Sequence, residues 1–153
     1  MQSRPLHYLD RSTVEYAFDA THAPRITVEA PCEIMIETHN SREGRLNKPE
    51  DEALCRPNPS DKYPRSNPMT GPVGIKGAEP GDALAVEILS IEVDAQGYVG
   101  VFPEVGIVRD VVNQRTVTML PVKDGQVHFK DLRLPLKPMI GAMACAPLEP
   151  ISV

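Results

Sequence analysis

Prolines set the first limit on what this chain can become. Sixteen of its 153 residues are proline, about twice the usual ~5% share. Each one lacks a backbone donor and clashes with the preceding turn of a helix. A mostly β chain is therefore expected, a β-sandwich or barrel-like domain with long loops and at most short helices. A chain of this length can bury roughly two-thirds of its unfolded surface, and the 41% apolar content is ordinary. The expectation is one β-rich domain over residues 1–153.

Strand signals recur along the chain with turn chemistry between them. Val14, Tyr16 and Phe18 alternate with polar neighbours. Ile26 and Val28 start a second strand. Ile34, Ile36 and Thr38 form a third, which ends at His39-Asn40. Tyr98, Val99 and Val101 form a short strand closed by Pro103. Residues 116–122 and 127–129 are strand-like, and Leu132 with Leu134 extends the pattern. Asp124-Gly125 between the last two runs predicts a two-residue hairpin with positive φ at both positions. Residues 1–12 carry Pro5 and read as an irregular lead-in. Residues 104–113 hold Gly106 and an apolar run without clear periodicity.

Residues 41–69 form the longest aperiodic stretch, with five prolines. Pro49 to Leu54 suits a single helical turn, with Pro near its start and acids in the first turn. A loop of this length is a candidate lid or site wall, or else disordered.

Local chemistry is tightest from Gly71 to Val93. Glu79-Pro80-Gly81-Asp82 predicts a tight turn, in which Pro80 presets φ and Gly81 supplies a positive φ. Leu84, Val86 and Ile88 then alternate as in a half-buried strand. The phase slips at Ile88-Leu89, and Leu89, Ile91 and Val93 carry the pattern on. A bulge or burial on both faces would explain the slip.

The net charge is −5 with acids and bases interspersed, which gives no electrostatic footprint for nucleic acid. No apolar run reaches the ~18 residues of a membrane span. Cys32, Cys55 and Cys145 are scattered and form no Cys-x-x-Cys pair, so reduced thiols in a cytoplasmic protein are expected. There is no phosphate loop, dinucleotide fingerprint or zinc-finger spacing.

Three ordered motifs carry a resemblance. Thr70-Gly71-Pro72, Gly77-Ala78-Glu79-Pro80-Gly81-Asp82, Leu84 and Val86-Glu87-Ile88-Leu89 resemble the signature of the acetamidase/formamidase family. Glu37-Thr38-His39-Asn40 is similar to that family's Glu-Thr-x-Asp segment. Pro138-Met139-Ile140-Gly141 with Ala146-Pro147 resembles its segment near mid-chain. Together the motifs cover roughly residues 25 to 150. Two departures stand out. The family's Asp is Asn40 here, and the Gly-Gly-Asn and His/Asp/Glu-rich motifs of the family's second half have no counterpart. The resemblance is thus to an N-terminal half. It implies an amidohydrolase of linear-amide C–N bonds, converting formamide- or acetamide-type substrates to carboxylate and ammonia as one part of a complete enzyme. The alternative is a non-catalytic relative serving as a scaffold or small-ligand-binding β domain.

Amide hydrolysis needs an activated nucleophile, a proton donor for the leaving amine, and stabilisation of the oxyanion. Water on a divalent metal, zinc or calcium, can supply the first and third. His39 at a strand end is the best candidate ligand and catalytic residue; a turn-capping role is the competing reading. Asn40 cannot titrate, which puts its catalytic role in doubt. Glu37 is a minor catalytic candidate, since alternation points it to solvent. Thr70 and Gly71 are candidate substrate contacts, or simply a Thr-Gly-Pro turn. Asp82 suits a turn-stabilising role. Cys145 lies in an apolar segment where a buried thiol would be inert. His128 falls on a solvated strand face, and His7 and His22 have no recognisable partners. Met139 to Pro147 is the expected exposed apolar patch, with Met139, Ile140 and Met143 at the contact of a two-fold homo-oligomer. The other expected partner is a separate chain carrying the family's second half.

Overall fold

The structure is a computed structural model and describes residues 6–55, 60–62, 65–103, 107 and 109–152. Among the described residues the regular structure is strand, broken only by short 3₁₀ segments, with no α-helix. The expected mostly β chain with long loops is what forms. It divides into two compact units.

The first unit comprises Met1–Glu43, Pro57–Glu87 and Ala142–Val153. Its strands pair two by two. β1 (Leu6–Leu9) runs parallel to β4 (Glu33–Ile36), with Leu9 opposite Ile36. β2 (Ala17–Phe18) is antiparallel to β10 (Ile151–Ser152). β3 (Ile26–Val28) is parallel to β5 (Val73–Ile75), with Val28 opposite Ile75. An isolated antiparallel bridge joins Glu15 to Met69. Leu9, Ala17 and Val28 are buried, and so is Asp19. β1 corrects the reading of residues 1–12 as irregular. Its four residues are too few to declare a period, and a parallel partner 27 positions on leaves no local signal.

The second unit comprises Gly44–Arg56 and Ile88–Gly141. Its sheet is an antiparallel meander of β6 (Gln96–Val101), β7 (Thr116–Lys123), β8 (Gln126–Phe129) and β9 (Leu132–Pro135). Leu46 and Val117 form its buried centre, with Tyr98, Phe102 and Met119 packed against them. Asp124 (φ 51°) and Gly125 (φ 69°) make the two-residue turn between β7 and β8, where Lys123 pairs with Gln126. This is the expected hairpin: mirror-image turns match the right-handed twist of the strands. Pro49–Cys55 is a 3₁₀ segment, close to the expected helical turn. Asp51 caps it by accepting from the amides of Asn47 (3.0 Å) and Lys48 (3.2 Å). Glu52 pairs with Arg115 at 2.5 Å.

The Glu79–Asp82 turn forms as expected. The Asp82 amide donates to the Glu79 carbonyl (3.0 Å), Gly81 sits at φ 107°, and the Asp82 carboxylate accepts from the Glu79 amide (2.9 Å). The stretch after it departs from expectation. Residues 83–94 join no strand ladder, and all but the half-buried Ile91 are open to solvent, Leu84 at 52% and Leu89 at 62%. Alternation tells which face seeks burial, but a strand also needs a neighbour to take its backbone hydrogen bonds. No strand among the described residues takes that place. Residues 104–106 and 108, in the apolar run after Pro103, lie outside the described residues, as do 56–59, 63 and 64 of the long loop.

Candidate functional site

The candidate site residues Glu37, His39, Asn40, Thr70 and Gly71 lie in the first unit, on segments tied to one another by backbone hydrogen bonds. β4 ends at Ile36, and the chain continues through Glu37 to Asn40 into a 3₁₀ turn, Ser41–Gly44. That turn is fastened to the far end of the long loop. The Ser41 hydroxyl (2.8 Å) and the Arg42 amide (3.0 Å) both donate to the Ser66 carbonyl. Arg42, Glu43 and Gly44 take left-handed conformations in succession, φ 69°, 57° and 69°. Non-glycine residues there cost on the order of 1–3 kcal/mol each, and such strain collects at functional sites.

His39 is half-buried, and its Nε2 lies 3.1 Å from the Arg11 carbonyl oxygen. A carbonyl only accepts, so Nε2 carries the proton and Nδ1 keeps its lone pair in the neutral ring. That is the orientation of a metal-ligating histidine, whose second nitrogen is held by a carbonyl. Other donors are not gathered beside it. Among the described residues no three His, Cys, Asp or Glu side chains come together as a metal site. His39 therefore fits a metal as one ligand, and this chain's described residues do not by themselves complete a set. Glu37 is exposed and accepts from the Tyr8 hydroxyl, which raises the Tyr8 phenol above its ordinary value. The Asn40 carbonyl accepts from the Glu43 amide at 3.2 Å, which places Asn40 as the anchor of the strained turn.

Thr70 and Gly71 follow the bridge between Glu15 and Met69, whose amides and carbonyls exchange bonds of 2.9 and 3.0 Å. Gly71 sits at φ 140°, where a side chain is disfavoured, and the Gly71-Pro72 bond is cis. Among the described residues, the buried Thr70 hydroxyl has no hydrogen-bond partner, and neither has the buried Tyr16 hydroxyl. A buried polar group left unpaired costs about 1–3 kcal/mol. Tyr16 follows Glu15 as Thr70 follows Met69. Both side chains therefore project from the face of the bridge opposite Glu15 and Met69.

The remaining titratable residues sort themselves by geometry. The Arg65 guanidinium lies 5.4 Å from the centre of the Tyr16 ring and is held by Glu43 through Nε (3.0 Å) and Nη2 (2.7 Å). His22, which showed no partner in the sequence, stands between two carboxylates. Its Nδ1 is 3.4 Å from Glu15 and its Nε2 is 3.9 Å from Asp19. Asp19 is buried, and hydrogen bonds from the Thr21 hydroxyl and amide hold its carboxyl below the usual range. Cys145 is exposed rather than buried. His128 is half-buried on β8, and His7 is half-buried on β1. Sequence reasoning missed Tyr16, Arg65 and Glu43. Tyr16 read only as one member of an alternating strand, and its partners lie 27 and 49 positions away.

The profile of the Acetamidase/Formamidase family matches residues 23–152. The chain belongs to the acetamidase/formamidase family. Solved relatives agree. A crystal structure of an acetamidase from Bacillus halodurans is 31% identical with a TM-score of 0.83, over 95% of this chain and 48% of that one. A predicted acetamidase/formamidase from the thermophile Thermoanaerobacter tengcongensis is 30% identical with a TM-score of 0.86, over 98% and 49%. An acetamidase from Yersinia enterocolitica, 24% identical with a TM-score of 0.79, shares the fold over 99% and 49%. No curated protein matches the chain. The chain thus spans about half the length of the acetamidases whose structures it matches.

Proposed function

We propose that this chain forms one wall of an amidohydrolase site that cleaves the C–N bond of small linear amides such as formamide or acetamide, giving a carboxylate and ammonia. The observation that carries the reading is the family match over residues 23–152. Two local features are consistent with it: Thr38-His39-Asn40 lead into the strained Ser41–Gly44 turn, which is tied to Ser66, and Thr70-Gly71 follow the Glu15–Met69 bridge. In this reading His39 presents Nδ1 to a divalent metal, zinc or calcium, or to the attacking water. Thr70 and the Gly71 backbone contact the substrate. Glu37, exposed and bonded to Tyr8, has the weakest claim to a catalytic part. Asn40 shapes the turn and does not move protons.

A hydrolytic site also needs a base for the water and a donor for the leaving amine. Those groups come from sequence corresponding to the other half of the solved relatives, on the same chain or a partner. The experiment is ammonia release from formamide and acetamide by the purified chain, with and without that half supplied as a second polypeptide. The chain alone is expected to be inactive.

A further inference from the structure

We propose that residues 84–93 are a docking strand, and that the neighbour it takes is a strand from sequence corresponding to the second half of the solved acetamidases. The inference rests on the reading that this chain is one part of a complete amidase, and it names the surface through which the parts join. Residues 83–94 enter no ladder, and among the described residues none of their amides or carbonyls bonds to another backbone group. A backbone left open over such a length is a template for pairing with another chain. Its side chains suit a sheet: Val86, Ile88, Ile91 and Val93 are β-branched, and Leu84, Val86, Ile88, Leu89 and Val93 stand exposed. From Ala83 to Val93 there is no proline, lysine or arginine, the residues that commonly blunt a bare edge. A second copy of the chain is a poor occupant. A two-fold antiparallel pair sets against each residue one equally far beyond the centre. Centred on Ile88, it opposes Leu84 to Glu92, Val86 to Ser90 and Leu89 to Glu87. Centred on Glu87, it sets that carboxylate against itself, and centred on Leu89, it opposes Val86 to Glu92 and Leu84 to Asp94. The phase slip at Ile88-Leu89 thus asks for a strand of different sequence. The relatives supply the length for one: 95% and 98% of this chain matches only 48% and 49% of two solved proteins. The partner strand should carry apolar side chains opposite Leu84, Val86 and Ile88 on one face and Leu89, Ile91 and Val93 on the other, with basic or hydroxyl side chains opposite Glu87 and Glu92.

The test is amide hydrogen exchange, on the full chain alone and on the chain co-expressed with a polypeptide carrying the second half of the Bacillus halodurans acetamidase. The lone chain should exchange freely from 84 to 93 at any concentration. In the complex those amides should slow about tenfold or more. Val86→Lys and Leu89→Lys, one on each face, should leave the Tm of the lone chain level, because both side chains are already open to solvent. Each should weaken capture of the second half about tenfold. Protection of 84–93 in the dilute lone chain, or a clear fall in Tm in either variant, would place the strand's neighbour within the chain and overturn the proposal. Protection that grows with chain concentration alone would overturn it in favour of a second copy. A complex in which 84–93 still exchanges freely, or no complex at all, would also overturn it. Ammonia release by the complex without protection at 84–93 would leave the amidase reading standing and remove this one; protection without ammonia release would do the reverse.

Discussion

Arg25 shows how single residues hold the first unit around its candidate site. Its guanidinium donates to the Asp10 carbonyl (2.7 Å) and carboxylate (3.0 Å), and to the Ser12 hydroxyl (3.2 Å). Its amide donates to the Pro72 carbonyl (2.9 Å). One residue thereby ties the segment beside Arg11, which orients His39, to the segment after Gly71. Asp10 accepts from the Ser12 hydroxyl and amide as well as from Arg25, and these bonds hold its carboxyl at about 2. A carboxylate depressed in the folded state adds stability above its unfolded value near 4, and loses it as pH falls toward 2. Denaturant unfolding between pH 5 and 2 should show that loss, and Asp10→Asn should flatten the slope. An identical slope in the variant would remove Asp10 as a source. His39 belongs to the same scale. His39→Ala should cost less than ~0.5 kcal/mol, as half-exposed positions do, while lowering the zinc or calcium content measured by elemental analysis. Unchanged metal content would take His39 off the ligand list.

Among elements, local signals were legible and distant ones were not. Asp124-Gly125 carries its own turn geometry, and Glu79 to Asp82 carries its own hydrogen bonds, so both could be read from adjacent residues. The Leu84–Val93 alternation was visible too, but a ladder partner is not written in adjacent residues, and no described strand pairs with it. β1 was missed for the same reason. The candidate site was half legible: His39, Thr70 and Gly71 stand in motifs, whereas Tyr16, Arg65 and Glu43 meet only through folding. Gly100 was equally silent in sequence. The Phe102 ring folds over it, and a Cβ there would run into that ring. Phe102 in turn packs on the Leu46–Val117 centre and lies 5.1 Å from Arg115. Gly100→Ala should therefore displace Phe102 and destabilise the chain by about 1–3 kcal/mol, read by denaturant unfolding. A neutral result would mean that the ring can swing aside freely.

Taken whole, the chain displays large apolar side chains to solvent. Met139 is 76% exposed, and Ile140, Met143 and Leu148 are also open to solvent. Large exposed apolar patches mark interfaces, and we propose that a second copy covers Met139, Ile140 and Met143 in a two-fold dimer. Light scattering should give the dimer mass, and Met139→Lys with Met143→Lys should return the monomer mass. A monomer in the parent chain would refute it. The central claim remains that this chain is one part of an amidase, and turnover tests it most directly. Purified chain should release no ammonia from formamide or acetamide. The chain mixed with a polypeptide carrying the second half of an acetamidase/formamidase should do so, and Asn40→Asp should raise that rate where a carboxylate is needed. Robust ammonia release by the chain alone, or none from the completed mixture, would contradict the account.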